Sequence, residues 1–187
     1  EANGHTVVNY GQFSMEDSRQ TYNQNAILIA ALLNSGAADF VVTGCGTGEG
    51  AMLAANSMPG VCCGLVVDAV DSYLFTQVNG GNCMALPYAK GWGWGAEVNL
   101  EYVFEKLFVQ APGGGYPPHA AASEQRNAAL LNKMKSVSHK DITEILSTKD
   151  PEVSEIVKAA FAGKRHEMFK KDCKDSAILA AVEKALA

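Results

Sequence analysis

Short apolar runs alternate with amphipathic stretches along the first 111 residues of the chain. Four apolar runs have the length and residue types of strands: His5–Tyr10, Asp39–Thr43, Val61–Val67 and Cys83–Leu86. Four other stretches have the spacing and end signals of helices: Ser18–Leu33, Ala51–Asn56, Ala69–Val78 and Trp94–Phe108. Because strands and helices in alternation form parallel sheets covered on both faces, the pattern predicts an α/β fold.

The segment Pro112–Pro118, with the sequence PGGGYPP, is the clearest boundary in the chain. Beyond it the strand pattern stops, and four stretches are predicted as helices: His119–Lys135, Asp141–Leu146, Pro151–Ala162 and Ser176–Leu186. The run Lys164-Arg165-His166 is interpreted as solvated charge, or as a group that reaches a partner's site. We therefore predict an α/β core in residues 1–111 and a helical extension in residues 112–187, which packs on the core or on a dimer partner.

Composition and charge narrow the classes of partner. Of the 187 residues, 48% are hydrophobic and 19% are charged, as in folded globular proteins. No apolar run approaches the length of a bilayer span, so no membrane contact is expected. Residues 1–111 hold three basic and ten acidic residues, whereas residues 112–187 hold twelve and ten. The lack of a basic face argues against nucleic-acid binding, but backbone amides of the first part and basic side chains of the second suit a small anion.

The five cysteines follow no regular spacing, and their number is odd. This argues against a disulfide framework, and no Cys or His pair has the spacing of a zinc site, so no metal is predicted. A reducing, cytoplasmic location is the simplest interpretation. Cys62, Cys63 and Cys83 lie in apolar runs and are predicted to pack in the core. Cys45 differs because it lies among glycines.

The segment Gly44–Gly50, which contains Cys45, joins a predicted strand to a predicted helix and has glycine at every second position. Glycine lets backbone N–H groups approach an anion closely, and the start of the helix adds a positive partial charge. The loop is therefore suited to hold a phosphate or an oxyanion. A thiol in the same field is expected to have a pKa below its ordinary value of about 8.5.

Three interpretations of this loop remain open from the residues alone. The first is a dinucleotide site, because Gly46, Gly48 and Ala51 fit the loose GxGxxA pattern and Asp68 follows the next strand. The second is a tight structural turn that carries a buried cysteine. The third is an active-site loop in which Cys45 acts as a base or a nucleophile.

The stretch Gly44–Gly60, GCGTGEGAMLAANSMPG, resembles the signature of the ribose-5-phosphate isomerase B and galactose-6-phosphate isomerase family. The resemblance continues through Gln77–Asn82 and Cys83–Leu86, and covers roughly residues 1–110. It implies a Rossmann-like αβα sandwich and a homodimer whose active sites contain residues from both subunits. It also implies an aldose–ketose isomerase that needs no metal or cofactor and passes through a cis-enediolate.

The resemblance also assigns roles to residues of the loop and of one later helix. By it, Cys45 is the base that moves a proton between C1 and C2, and Thr47 assists ring opening and positions the sugar. Three glycines bind the substrate by forming an anion hole: Gly46, Gly48 and Gly50. Asn79 hydrogen-bonds the substrate near the reacting carbons. Glu49 is either a solvated acid that favours the helix start or an acid/base group beside the site.

Several residues depart from the family pattern. Val78 stands where the family has the histidine that opens the sugar ring, so another group replaces it or the substrate enters in its open form. Arg126 is the best candidate to bind the substrate phosphate and His119 a weaker one, because the family's Gly-Gly-Arg-His segment is GGGYPPHAAASEQRN here. The alternative is that Arg126 is a surface helix residue. The family's first strand, which ends in Asp-His, is expected to precede residue 1.

The sequence therefore favours a sugar-phosphate isomerase that interconverts, for example, ribose 5-phosphate and ribulose 5-phosphate. The small-molecule substrate and a second copy of the chain are the expected partners. Two alternatives remain, and the first of them is motivated by Val78 and by the missing Asp-His of the first strand. One is a non-catalytic sugar-phosphate or nucleotide-binding protein on the same fold. The other is a structural dimerisation module that binds no ligand at the loop.

Overall fold

The computed structural model describes residues 4–17 and 19–187. Three strands form one sheet: β1 (Val41–Cys45), β2 (Cys63–Leu65) and β3 (Cys83–Pro87). Four helices accompany them: α1 (Tyr22–Asn34), α2 (Glu49–Asn56), α3 (Ala69–Leu74) and α4 (Ala96–Leu107). A π-helical turn, Phe75–Asn79, continues α3. Five helices follow: α5 (Ala121–Ser138), α6 (Ile142–Leu146), α7 (Pro151–Ala160), α8 (Lys164–Asp172) and α9 (Ser176–Leu186).

The sheet is parallel, and β3 lies between β1 and β2. Val41 is opposite Cys83 and Cys45 is opposite Pro87, so β1 and β3 start and end together. All five residues of β3 are buried, as expected for a central parallel strand with helices on both faces. We call the edge at Cys45 and Pro87 the carboxyl edge of the sheet, and the edge at Val41 and Cys83 the amino edge.

Two clusters of apolar side chains flank the sheet. On one face α1 is buried over Ala26–Leu32, and it shares its core with α2 and with α6, α7, α8 and α9 of the second part. On the other face α4 packs against the strands through five buried residues: Val66, Met84, Leu86, Val103 and Leu107. The Ser72 hydroxyl, buried, donates to the Val103 carbonyl oxygen at 2.7 Å and ties α3 to α4.

The α/β fold with a parallel sheet between helices, predicted from the sequence, is confirmed. Helix α1 begins at Tyr22 because Thr21 and Gln24 form a capping box, and the predicted start at Ser18 lies outside the described residues. The predicted helix Ala69–Val78 consists of α3 and the π-helical turn.

Two local predictions are wrong. The segment His5–Tyr10 forms no strand, because α8 binds its end through side chains: Arg165 Nε donates to the Tyr10 carbonyl oxygen at 3.0 Å, and Tyr10 Oη donates to Asp172 Oδ2 at 2.8 Å. The start of α8, Lys164-Arg165-His166, was predicted to be solvated charge or to reach a partner's site. The sequence of α8 is mostly polar, but Arg165 and Phe169 are buried.

No helix among residues 4–17 and 19–187 combines the length and the apolar character needed to cross a membrane.

Candidate active site

The glycine loop follows β1 directly at the carboxyl edge of the sheet. β1 ends at Cys45, and α2 begins at Glu49 after only three connecting residues. Gly48, the N-cap of α2, has φ +79°, and an added Cβ there would lie 2.5 Å from Leu65 Cδ1 and 3.1 Å from the Pro87 nitrogen. A side chain at this position would meet both an unfavourable backbone conformation and its neighbours, so this turn requires glycine.

The Cys45 thiol is half-buried at the start of this loop. Burial raises the pKa of the thiol. The backbone N–H groups of Ala51, Thr47 and Gly48 and the Thr47 side chain lower it by a larger amount, so the pKa lies below the ordinary thiol value. The same N–H groups that stabilise a thiolate are suited to stabilise negative charge on a bound substrate. The loop therefore offers both a base and an oxyanion site.

A second segment reaches the loop from the end of β3. The Tyr88 nitrogen donates to the Cys45 carbonyl oxygen at 2.8 Å, and the Ala89 nitrogen donates to the Gly46 carbonyl oxygen at 2.8 Å. The Tyr88 ring lies on Gly44, where an added Cβ would be 2.5 Å from Tyr88 Cζ. Burial, and to a smaller extent the negative charge of the Cys45 thiolate, raise the pKa of the Tyr88 phenol. The phenol therefore stays protonated.

Glu49 does not stand alone at the start of α2. Its carboxylate lies 3.2 Å from Lys90 Nζ, and both side chains are exposed to solvent. Sequence reasoning missed both Tyr88 and Lys90, because neither belongs to a motif. Their only sequence signal is their position after a buried strand, and parallel pairing of that strand with β1 brings them to the loop.

The structure separates Asn79 and Arg126 from Cys45 within one chain. Asn79 ends the π-helical turn and precedes β3, so it lies on the amino-edge side of the sheet. Arg126 is exposed on α5, the helix that packs against this turn. Since β1 and β3 have five residues each, roughly 13 Å of strand lies between the two edges. A small sugar at Cys45 cannot reach both edges of the same chain.

The π-helical turn borders an open cavity of about 580 Å³ that runs along α3 and the turn. Val78 and Asn79 line it together with Tyr116, whose ring packs edge-on against Tyr73 at 5.6 Å. His119, the weaker phosphate candidate, is exposed just before α5. A second cavity, of about 370 Å³, lies between α4 and the carboxyl ends of β2 and β3, and its lining is mostly apolar.

The other polar residues singled out in the sequence have structural contacts. Asp68 Oδ1 accepts hydrogen bonds from the nitrogens of Val70 and Asp71 at 2.9 Å, so this carboxylate caps α3. Cys63 and Cys83 are buried in the core, opposite each other on β2 and β3. Among residues 4–17 and 19–187, no three His, Cys, Asp or Glu side chains are grouped as they would be to hold a metal ion.

Comparison with known proteins places this site in a family context. The Ribose/Galactose Isomerase family model matches residues 1–112. A 4-deoxy-L-threo-5-hexosulose-uronate ketol-isomerase, crystallised with a tartrate, is 49% identical, with a TM-score of 0.93 over 99% of this chain and 86% of its own. A ribose-5-phosphate isomerase from Vibrio parahaemolyticus is 43% identical, with the same TM-score and coverage.

A ribose 5-phosphate isomerase from Thermotoga maritima is more distant, and its likeness is one of fold alone. It is 23% identical, with a TM-score of 0.57, over 71% of this chain and 82% of its own. A comparison with curated protein sequences found no match. The family model covers more than half of this chain, and the two more similar structures cover nearly all of it, which confirms the resemblance seen in Gly44–Gly60. The chain belongs to the ribose/galactose isomerase family of sugar isomerases.

Proposed function

We propose that this protein is a ketol-isomerase that interconverts an anionic aldose and its ketose, with Cys45 as the base. The observation that carries the proposal is the half-buried Cys45 thiol, whose pKa is lowered by the N–H groups of its own glycine loop. A lowered pKa increases the fraction of thiolate at a given pH, and a thiolate is a suitable proton shuttle. The loop N–H groups are placed to stabilise the oxygen on which charge develops.

In the proposed reaction, the Cys45 thiolate takes the proton from C2 of the open-chain aldose. The C2–H electron pair forms the C1=C2 bond, and the carbonyl electrons move to O1, which gives a cis-enediolate. The hydroxyl proton passes from O2 to O1, and the thiol returns its proton to C1, which leaves the ketose with its carbonyl at C2. Thr47 is proposed to position the sugar, and Gly46, Gly48 and Gly50 to keep the loop amides open to O1.

Two substrate classes are proposed for this site. The first is a sugar phosphate such as ribose 5-phosphate, by analogy with the 43% identical isomerase. The second is an open-chain keto-uronate, which is the substrate named for the 49% identical ketol-isomerase. Val78 favours the second, because a substrate that enters in its open form does not require the ring-opening histidine that this position has in the family.

We further propose a homodimer in which each site combines two chains. The separation of Asn79 and Arg126 from Cys45 supports this, because a second copy is needed to bring both groups to one sugar. Helix α5, which carries Arg126, has no buried residue and exposes four apolar side chains: Leu130, Leu131, Met134 and Val137. An apolar stripe of this kind is typical of a subunit interface. Five free thiols in a sugar isomerase also favour a reducing, cytoplasmic location.

The first test replaces the proposed base. Cys45→Ala is expected to lower kcat about 100- to 10,000-fold, the usual contribution of a general base, while the melting temperature stays close to that of the wild type. Cys173→Ala is the matched control, because it removes a half-buried thiol outside the loop. Aldose-to-ketose conversion is measured for each. Activity of Cys45→Ala within a few-fold of the wild type contradicts the proposed mechanism.

The second test separates the substrate classes and the non-catalytic alternative. The ratio kcat/KM is compared for ribose 5-phosphate and for 4-deoxy-L-threo-5-hexosulose uronate. Faster turnover of the uronate supports the open-chain class, and faster turnover of the phosphate supports the sugar-phosphate class. Binding of either compound without turnover, seen by calorimetry, supports a binding protein instead.

A further inference from the structure

Lys90 lies after β3 and contacts the glycine loop through Glu49. Residues 1–111 contain three basic residues, Arg19, Lys90 and Lys106. Lys106 lies in the last turn of α4, and Arg19 precedes α1. Lys90 alone of the three forms an ion pair with a residue of the loop, with Nζ 3.2 Å from Glu49 Oε1. Of the three basic side chains of residues 1–111, Lys90 is therefore the one that lies at the loop.

The backbone holds Lys90 in this place. The preceding residue, Ala89, donates to the Gly46 carbonyl oxygen at 2.8 Å, so a backbone hydrogen bond ties the Lys90 segment to the loop. The Lys90 stem lines the apolar cavity beside Trp92, whose indole Nε1 donates to the Pro87 carbonyl oxygen. A long basic side chain commonly packs its stem on apolar surface and leaves its ammonium in water. Here the ammonium is directed toward Glu49.

The ion pair between Lys90 and Glu49 is weak enough for another anion to replace Glu49. The two side chains are 48% and 56% exposed, and an ion pair in such contact with water adds little to stability. A substrate carboxylate or phosphate can bind Lys90 and also accept hydrogen bonds from the N–H groups of the loop, whereas the Glu49 carboxylate binds Lys90 alone. The substrate anion can therefore take the place of Glu49 at small cost.

We propose that Lys90 binds the anionic group of the substrate beside the Cys45 loop, exchanging Glu49 for it, and so determines the specificity of the site for acidic sugars. The inference rests on the proposed function in placing the substrate at Cys45. The chemistry recognised is an oxyanion, which a carboxylate and a phosphate share. Glu49 acts as a stand-in for that anion when the site is empty, and it discourages neutral sugars because they cannot displace it.

The test measures anion binding without turnover. Cys45 is alkylated with iodoacetamide, and the rate is followed by mass spectrometry of the peptide that contains it. Tartrate and inorganic phosphate are added separately as protecting anions, and the concentration of each that halves the rate is recorded. The variants are Lys90→Gln, Lys90→Arg, Glu49→Gln and Arg126→Gln, with Lys106→Gln as the matched control.

Lys90→Gln is expected to raise the half-protecting concentration by about tenfold or more, because a charge-assisted hydrogen bond is lost. Lys90→Arg keeps the charge and stays close to the wild type, and Lys106→Gln does not change the value. Glu49→Gln frees Lys90 and lowers the value by about two- to fivefold, the range expected for an exposed ion pair. The anion that gives the lower half-protecting concentration in the wild type identifies carboxylate or phosphate as the preferred group.

Three results overturn the proposal: equal protection of the wild type and Lys90→Gln, a loss of protection in Arg126→Gln but not in Lys90→Gln, or no protection of the wild type by either anion. The readout is independent of turnover. If Cys45→Ala remains active while Lys90→Gln loses protection, the proposed base is wrong and the anion site at Lys90 stands. If Cys45→Ala is inactive while Lys90→Gln is protected normally, the base stands and the inference about Lys90 fails.

Discussion

At the scale of single residues, the chemistry of the site depends on two opposing effects on one thiol. Burial disfavours the Cys45 thiolate, whereas three backbone N–H groups and the Thr47 side chain favour it, and the hydrogen bonds outweigh burial. These donors belong to Thr47 and Gly48 in the loop and to Ala51 at the start of α2. The reactivity of the thiol is therefore a property of the loop, and it is expected to respond to substitutions there.

Thr47→Val tests the hydroxyl contribution, because valine has nearly the same shape and no donor. The lowered pKa of Cys45 means that the folded protein holds more thiolate than the unfolded chain at any pH below the ordinary thiol value of about 8.5. Its alkylation rate should therefore reach half its maximum below that pH. In Thr47→Val the pKa of Cys45 rises, and the midpoint moves to higher pH.

Alkylation of the Cys45 peptide by iodoacetamide across pH 6 to 10 measures this midpoint. Thr47→Ser keeps the hydroxyl and is expected to follow the wild-type profile. Superimposed profiles for the wild type and Thr47→Val would show that the hydroxyl does not act on the thiol.

The residues that sequence reasoning identified at this scale are those that belong to one continuous segment. Gly44–Gly50 could be read as an anion-binding loop because glycine spacing and helix start follow each other along the chain. Tyr88 and Lys90 carry no comparable pattern. They reach Cys45 and Glu49 through the pairing of β3 with β1, a contact between residues more than 40 positions apart.

At the scale of elements, the glycines at the junction between β1 and α2 differ in how strongly the backbone requires them. Gly48 has a positive φ and little space, whereas Gly46 has ordinary φ and its nearest neighbour, Ala89 Cβ, would be 3.7 Å from an added Cβ. Of these two glycines, Gly48 is therefore the one that the turn requires. At Gly46 the backbone would accept a side chain, so the glycine there is proposed to leave the loop amides accessible to a ligand.

Gly48→Ala is expected to lower the free energy of unfolding by at least about 1–2 kcal/mol, the cost of a left-handed conformation for a residue with Cβ. Gly46→Ala is the matched control in the same loop and should change stability by less than half as much. Urea unfolding of both variants measures the difference. Equal destabilisation by the two substitutions would show that the turn does not impose its conformation at Gly48.

The helices after residue 150 show why some helices can be predicted from the sequence and others cannot. α7 begins at Pro151 after the cap Asp150, and α9 ends at Leu186, and both were predicted from caps and apolar spacing. α8 was missed, because its burial is limited to Arg165 and Phe169 in a polar stretch. Phe169 packs in the main core, whereas Arg165 and Asp172 bind the segment before α1, and contacts so few leave no periodic pattern along the chain.

At the scale of the whole molecule, the residues proposed for the site lie at two edges of the parallel sheet. The loop with Cys45 lies at the carboxyl edge, whereas Asn79 and the helix that carries Arg126 lie toward the amino edge. In the proposed homodimer, the carboxyl edge of one chain meets the amino edge of the other, and each of the two sites is completed by both chains. Activity is then expected to depend on association.

Mixing two inactive variants tests the shared site. In a dimer of Cys45→Ala with Asn79→Ala, one site carries both substitutions and the other carries neither. After unfolding and refolding of an equal mixture, about a quarter of wild-type activity should return, because half of the dimers are mixed and each has one intact site.

The control is the same mixture made without unfolding, and sedimentation analysis confirms the dimer. No recovered activity in a refolded, dimeric mixture would place Cys45 and Asn79 in the same chain's site or remove Asn79 from the site. Recovery in a monomeric mixture would exclude a shared site.

The sequence by itself determined the α/β class, the family through Gly44–Gly60, and the thiol of Cys45 placed among backbone donors. These features are local, because caps, glycine spacing and apolar periodicity act between residues a few positions apart. Only the tertiary structure decided which residues meet that thiol and which do not. Pairing of β1 with β3 brings Tyr88 and Lys90 to the loop, and the length of the same strands keeps Asn79 away from it. Strand pairing joins distant segments through backbone hydrogen bonds that any residue types can form, and therefore the sequence pattern does not reveal these contacts.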